Sequence, residues 1–503
     1  MSAKLMKVGS GAVLAGVGLG PWLLDGMRGW GTIAVCGLGS VAGLCWLGAK
    51  MARRRMDTIP MGAAFAALFL LVGGWIGAVK AWRLPVDLFA EEHFRELAAR
   101  WPGSFVPRSP AMAMWACSAA IGVLLVVIDS EFGGRLRIAV GKCAAVVGAA
   151  MGALGAVQLF SGAAGGVWSG ANDLAGSFFG TFFDQSVGVA FVCMVWPLAG
   201  GFFLAEVGKP GSPWVALWGG LVAVGWLALG AVSALSGWWV SVGLVGLLLG
   251  WAAWRLPMKS LRSMAMRGGW VGLACVIAMA GGAFAAGRVP AWRGHWWELR
   301  AKLLAEGIPT NGQGVYRPDF RLRPDGLILP EDDPRDPAFV FQQRKKVWSV
   351  CGSMWASAGL LGCGPGTWPI VFPHFCDDGL LRTDYLQIQF VGNDLLQALV
   401  EWGTAGTLAW LFLLYGGVVG AVYRLRRYRA KGGPIGEREG LIVGALAGIL
   451  GLLVCALWSS PLQIAAIQFY AAVLLGILWS ARERGGSEVV GSAKDVLPKS
   501  EET

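Results

Sequence analysis

The residue types best suited to chemistry fall late in the chain. Arg344-Lys345-Lys346-Val347-Trp348 sets three cations beside an aromatic ring, and Gly362-Cys363-Gly364-Pro365-Gly366-Thr367-Trp368 follows as a glycine-rich turn. Arginine near a membrane surface grips a diphosphate through paired donors, and glycines let backbone N–H groups approach phosphate oxygens. Neither pattern is specific. An interfacial arginine and a turn ahead of a helix use the same residues.

The elements that position these residues are membrane helices. The chain has 503 residues, 55% of them hydrophobic and 15% charged, which is too apolar for a common soluble class. Apolar runs of about 20 residues, each long enough to cross a bilayer core, recur almost from end to end. They predict helices near 8–24, 30–49, 59–79, 110–128, 138–160, 186–205, 213–232, 237–254, 270–287, 400–423, 440–458 and 462–480. The expected fold is an all-α membrane protein of about twelve transmembrane helices, with one large extracytoplasmic loop between helices nine and ten. In domain terms, residues 1–287 carry helices one to nine, 288–401 the loop, 402–481 helices ten to twelve, and 482–503 a tail.

Charge sets the orientation. The formal net charge is +11, and the cations cluster beside apolar runs: Lys50 with Arg53, Arg54 and Arg55; Arg135, Arg137 and Lys142; Lys209; Arg255, Lys259, Arg262 and Arg267; Arg424, Arg426, Arg427, Arg429 and Lys431. Alternate connections hold almost none, with no Lys or Arg from Ser161 to Gln185. The positive-inside rule puts both termini in the cytoplasm and Arg288 to Glu401 outside. Because membrane orientation accounts for the charge and no nucleic-acid-binding motif accompanies it, no nucleic-acid partner is expected. Lys4 and Lys7 precede the first apolar run, but Leu24-Asp25-Gly26-Met27-Arg28 lacks a small-x-small cleavage pattern, so a retained first helix is expected.

Cys36, Cys45, Cys117, Cys143, Cys193, Cys275 and Cys455 lie within apolar runs, where a thiol acts as a small hydrophobe. In the loop, Cys363 and Cys376 can pair in an oxidising compartment or stay as free thiols. Tryptophans such as Trp22, Trp30, Trp82, Trp254 and Trp479 sit at run edges, where amphipathic rings anchor at the interface. Few ionisable residues fall at mid-helix, which counts against an ion-coupled pump. Within the loop, Ala291 to Arg300 reads as an amphipathic surface helix, and the mixed charges of Tyr316 to Pro337 as an irregular solvated stretch.

Taken together, Arg344-x-x-x-Trp348, the glycine turn and Gly392-Asn393-Asp394 running on to Gly403-Thr404-Ala405-Gly406-Thr407 resemble the O-antigen ligase and O-antigen polymerase superfamily. That family's pattern is His, then Asn, Ser or Gln, nine residues, Gly-x-x-Gly and a small or hydroxyl residue; Asn393, Gly403, Gly406 and Thr407 fit it. Gly180-Thr181-Phe182 ahead of an apolar helix ending Trp196-Pro197 is a weaker match. Two departures stand out. Gly392 occupies the family histidine position, and Leu235-Ser236-Gly237-Trp238-Trp239 stands where the family has Ser-Arg-Gly.

The resemblance implies transfer of a glycan from undecaprenyl diphosphate to an acceptor hydroxyl outside the cytoplasmic (inner) membrane, with no metal and no cofactor. Its partners would be the lipid-linked saccharide, a glycan or lipid acceptor, and membrane lipids. Arg344 would bind the diphosphate, with Lys345, Arg382 and the backbone of Gly364 and Gly366 as further binding candidates. His374 or Asp394 would replace the missing base, and Asn393 would orient a sugar. Blander roles suit each: a packed or surface histidine, solvated cations, and helix N-caps at Asn393 and Asp394. Two alternatives stay open, a degenerate relative that binds lipid-linked glycan without transferring it, and a transporter or flippase for a lipid-like substrate.

Overall fold

The computed structural model describes residues 2–23, 29–53, 59–82, 110–129, 133–161, 179–182, 184–209, 211–231, 235–256, 320–322, 328–330, 337–358, 360–375 and 390–480. They are almost entirely helical: α1 (Ser2–Leu19), α2 (Gly29–Arg53), α3 (Met61–Trp82), α4 (Pro110–Ile128), α5 (Gly133–Ser161), α6 (Gln185–Val207), α7 (Trp214–Ala231), α8 (Leu235–Arg255), α9 (Pro337–Ala358), the short α10 (Trp368–Val371), α11 (Asp394–Lys431), α12 (Glu437–Ala456) and α13 (Ala465–Ser480). Seven helices are long and apolar enough to cross a membrane, namely α2 to α6, α11 and α12; shorter apolar stretches lie in α7, α8 and α13. The protein is a helical membrane protein. The predicted ninth run, 270–287, and the amphipathic stretch 291–300 lie outside the described residues.

At the centre, α6 and α12 pack along their lengths, with α5, α7 and α8 against α6 or α12, and α1, α2, α4 and α13 forming the other half. Lipid tails give little hydrophobic drive for helices to associate, so close backbone approach must supply the contact. The sequence provides it as Gly440, Gly444, Gly448 and Gly451, one ridge of α12 laid on the carbonyls of α6. A Cβ on Gly444 would lie 2.7 Å from Pro197 O, and one on Gly451 would lie 2.8 Å from Cys193 O. Pro197 sits within α6 and has no N–H to offer the Cys193 carbonyl one turn back. The glycine ridge packs against that turn of α6.

Departures from the sequence expectation occur at α1, which runs Ser2–Leu19 rather than 8–24, at the start of α11 and in the loop. α11 begins at Asp394 rather than near 400, because its polar first turns are helical and capped. Within the stretch expected to be irregular, Phe320–Leu322 and Ile328–Pro330 pair as a two-stranded antiparallel hairpin, Arg321 opposite Leu329.

The two ends of the bundle differ in chemistry. At one end, Lys50 Nζ meets Asp129 Oδ2 at 2.7 Å with both side chains buried, and Trp46 Nε1 donates to the same oxygen at 2.8 Å. Arg137 caps the last carbonyls of α4 at Val127, Ile128 and Asp129. Arg255 Nε pairs with Glu439 Oε1 at 2.6 Å, and Lys142 Nζ with Glu437 Oε1 at 3.1 Å. Four of the cations read from sequence as one-sided, Lys50, Lys142, Lys209 and Arg255, thus meet carboxylates. At the opposite end, Gly180-Thr181 turns into the bundle, with Gln158 bonding both Gly180 N and Gly180 O at 2.7 and 2.9 Å. Of the residues flagged for chemistry, those of the glycine turn lie at that second end, against the C-terminal half of α3.

Candidate functional site

Three chain segments build the site: the turn between α9 and α10, the start of α11, and the connection from α12 to α13. The glycine turn and α11 meet backbone to backbone. Gly362 has φ +74° and Gly403 has φ +64°, a conformation that a side chain rarely adopts. Gly403 thereby kinks α11 and exposes carbonyls just before it. Cys363 N donates to Val400 O at 2.9 Å and Gly364 N to Glu401 O at 2.8 Å, while on the far side Ala405 N donates to Leu360 O at 3.1 Å. Trp355 Nε1 of α9 adds a bond to Thr404 Oγ1 at 3.1 Å. Beneath the turn, Gly77 of α3 comes so close that a Cβ on it would lie 3.2 Å from Gly364 Cα.

The first turns of α11 carry Asp394, Gln397 and Glu401, spaced to share one helix face. All three are buried, Glu401 to 2% exposure. Glu401 Oε1 accepts from Trp368 N, the first residue of α10, at 3.1 Å, and from Gln397 Nε2 at 3.3 Å. Gln397 Oε1 accepts from Val391 N at 3.4 Å. Asp394 reaches the third segment: its two oxygens accept from Leu462 N at 2.8 Å and Gln463 Nε2 at 3.1 Å. Gly392, at φ +70°, donates its N–H to Ser460 Oγ at 3.1 Å. Trp348 Nε1 donates to Val391 O at 3.2 Å, tying α9 to the same strand of chain. Trp368 stacks on Phe372, ring centroids 4.5 Å apart, in a small core with Val347, Cys351, Met354, Val391 and Val400.

The residues singled out from sequence divide as follows. Arg344 belongs to α9, one turn ahead of Trp348, and His374 to a 3-10 turn, Phe372–Phe375, directly after α10. Their side chains, and all of Arg382 and Cys376, lie outside the described residues. Lys345 is exposed on α9. Asn393 is the N-cap of α11, its Oδ1 accepting from Leu395 N at 3.0 Å and Leu396 N at 3.1 Å. Gly364 and Gly366 are buried in the turn with φ +108° and +70°. Around them Cys363 N, Gly364 N, Thr367 N and Trp368 N are spent on the protein's own carbonyls and on the Glu401 carboxylate. Of these N–H groups, Trp368 N meets the Glu401 carboxylate and the other three meet backbone carbonyls.

Glu401, Gln397, Ser460 and Gln463 were not picked out from sequence. The signal was present for the first two: a carboxylate and an amide four residues apart, in register with Asp394, at the edge of an apolar run. Ser460 and Gln463 had none, being brought in by tertiary structure alone. Cys363 carries a free thiol; burial pushes it above the ordinary range, and the nearby Glu401 charge pushes it further. Among the described residues no group of three or more His, Cys, Asp or Glu side chains could hold a metal ion.

Comparison of the chain with protein-family models and with curated proteins gives no match in either set.

Proposed function

We propose that the protein transfers a glycan from undecaprenyl diphosphate to an acceptor hydroxyl at the periplasmic face of the inner membrane, as an O-antigen ligase or polymerase would. The supporting observation is the crossing of Gly362 and Gly403, which joins the glycine turn and the Gly-x-x-Gly segment, two of the motifs that carry the family resemblance, into one unit. α9, which bears Arg344, is tied to that unit through Trp348 and Trp355. The unit sits at the bundle end opposite the paired cations, the end that positive-inside places outside.

In this reading α1, the seven long helices, the three shorter ones and the run 270–287 make twelve spans, with both termini cytoplasmic. Arg344 neutralises the departing diphosphate, supported by Lys345 and Arg382. The acceptor oxygen forms the new bond to the anomeric carbon as the bond to the diphosphate oxygen breaks, and the acceptor proton passes to a base. Asp394 already spends both carboxylate oxygens within the protein, which leaves His374 as the first base to test.

A second reading is binding of lipid-linked glycan without transfer. It draws support from Gly392 at the family histidine position, which offers no side chain and whose backbone N–H is bound to Ser460.

Deletion of the gene followed by analysis of surface glycan and lipid-linked precursor tests the proposal. Accumulated unligated chains indicate ligation, single repeat units on the acceptor indicate polymerisation, and no change in either defeats the proposal. The orientation is tested separately, by labelling a cysteine placed at Gln313 with an impermeant maleimide; protection from outside reagent overturns the periplasmic placement.

A further inference from the structure

The cations at the paired end of the bundle fall into two sets. Lys50, Lys142, Lys209 and Arg255 each meet a carboxylate. Arg424, Arg426, Arg427, Arg429 and Lys431, on the last turns of α11, meet none among the described residues, and no acid lies between Trp402 and Lys431.

Length explains where they sit. From Thr404 onward α11 is on the order of 40 Å long at about 1.5 Å per residue, against a hydrocarbon core of about 30 Å, so its last two turns or so overrun the core. The exposed stripe of α11 runs through Leu408, Phe412, Tyr415, Val419, Val422 and Tyr423. One turn further the same stripe reaches Arg426 and Arg427, both exposed. A face that is apolar along the tails becomes cationic at headgroup depth.

Two of these cations, Arg424 and Arg429, are also held in place. Arg255, buried and paired with Glu439, donates from Nη2 to Gly432 O at 3.1 Å and so fixes the end of α11 against the end of α8. Arg429 lies over the Trp254 ring of α8, 4.2 Å from its centroid, and Arg424 lies over Tyr428 at 5.2 Å. Trp254 is itself 40% exposed, and Leu249, further back along α8, is 58% exposed. Ordered guanidinium groups above exposed apolar side chains match a phosphate headgroup with tails beneath it.

We propose that Arg426 and Arg429, the latter supported by the Trp254 ring, form a binding site for an anionic phospholipid at the membrane surface, distinct from the glycan site at the opposite end. The site does not depend on the proposed transfer reaction.

Native mass spectrometry of the full chain in a neutral detergent tests it, with phosphatidylglycerol titrated in and phosphatidylcholine as the neutral lipid. Preferential binding of phosphatidylglycerol is expected, weakened about tenfold or more in Arg426→Gln/Arg429→Gln and largely retained in Arg426→Lys/Arg429→Lys. Equal binding of the two lipids overturns the proposal, as does a double glutamine variant that binds like the parent. Inorganic phosphate supplies the headgroup charge without tails; displacement of the lipid by phosphate at equal concentration would assign a free-anion site and overturn the lipid. The variants' unfolding midpoints in phosphatidylcholine are expected to match the parent's, since neither side chain holds a helix contact beyond the Trp254 ring.

Discussion

Gly362 and Gly403 lie far apart in sequence, yet each occupies the only space into which the other's side chain could grow: a Cβ on either would run into the other's amide nitrogen. Both also have positive φ, so two independent physical reasons exclude a larger residue. Alanine at Gly403 is expected to lose about 1–3 kcal/mol from backbone strain alone, with further loss as the Cys363 and Gly364 hydrogen bonds to α11 part. Gly352→Ala on α9 is the control. A Cβ there meets nothing within 4 Å, and the change is expected to be neutral or to gain up to about 1 kcal/mol. Unfolding midpoints in detergent compare the two.

The Lys50 and Asp129 pair is buried on both sides, so removing one partner strands a charge. Asp129→Asn or Lys50→Met is expected to cost about 3–5 kcal/mol, and Lys50→Met with Asp129→Asn, which strands no charge and keeps an acceptor for Trp46, to recover part of the loss. The pair lies out of reach of solvent ions, so added salt should leave the difference unchanged. A double-mutant cycle followed by chemical unfolding measures this.

Asp394 separates a structural from a catalytic role. Its carboxylate accepts from Leu462 N and Gln463 Nε2 and so ties α11 to the connection before α13. Asp394→Ala is expected to lower stability by about 1–3 kcal/mol through the unpaired N–H. If holding that connection is its whole role, Asp394→Asn, which keeps one acceptor oxygen, retains more stability and activity together. Full stability with lost transfer would instead make Asp394 the base.

How far the sequence could be read depended on what each residue met. The apolar runs at 110–128 and 186–205 became α4 at Pro110–Ile128 and α6 at Gln185–Val207, because twenty apolar residues leave a chain in lipid no option but helix. The start of α11 was read late because Asp394, Gln397 and Glu401 look like loop residues. Their partners, Leu462, Gln463, Val391 and Trp368, come from other segments and carry no local signature. The glycines of the turn were visible as a motif, but composition does not say what occupies the turn. Its N–H groups meet backbone carbonyls and, at Trp368, the Glu401 carboxylate, a partner found only once α11 is folded back against the turn.

Cys363 reports on the Glu401 carboxylate. Its pKa is raised by burial and then by Glu401, so little thiolate exists at neutral pH and maleimide labelling should be slow, rising as pH increases. Glu401→Gln removes the second cause, lowers the thiol pKa and should speed labelling at a fixed pH. Labelling rates across a pH series, compared between parent and variant, check the direction; an unchanged rate would mean that the Glu401 charge is not felt at the turn.

The most direct measurement is release of undecaprenyl diphosphate from a purified lipid-linked saccharide by the reconstituted protein and its Arg344→Ala variant. The account predicts transfer to an added acceptor by the parent and a loss of roughly a hundredfold or more in the variant, with the unfolding midpoint held. Release by the variant at the parent's rate would remove Arg344 from the reaction, and absence of release by the parent with donor bound would contradict transfer itself.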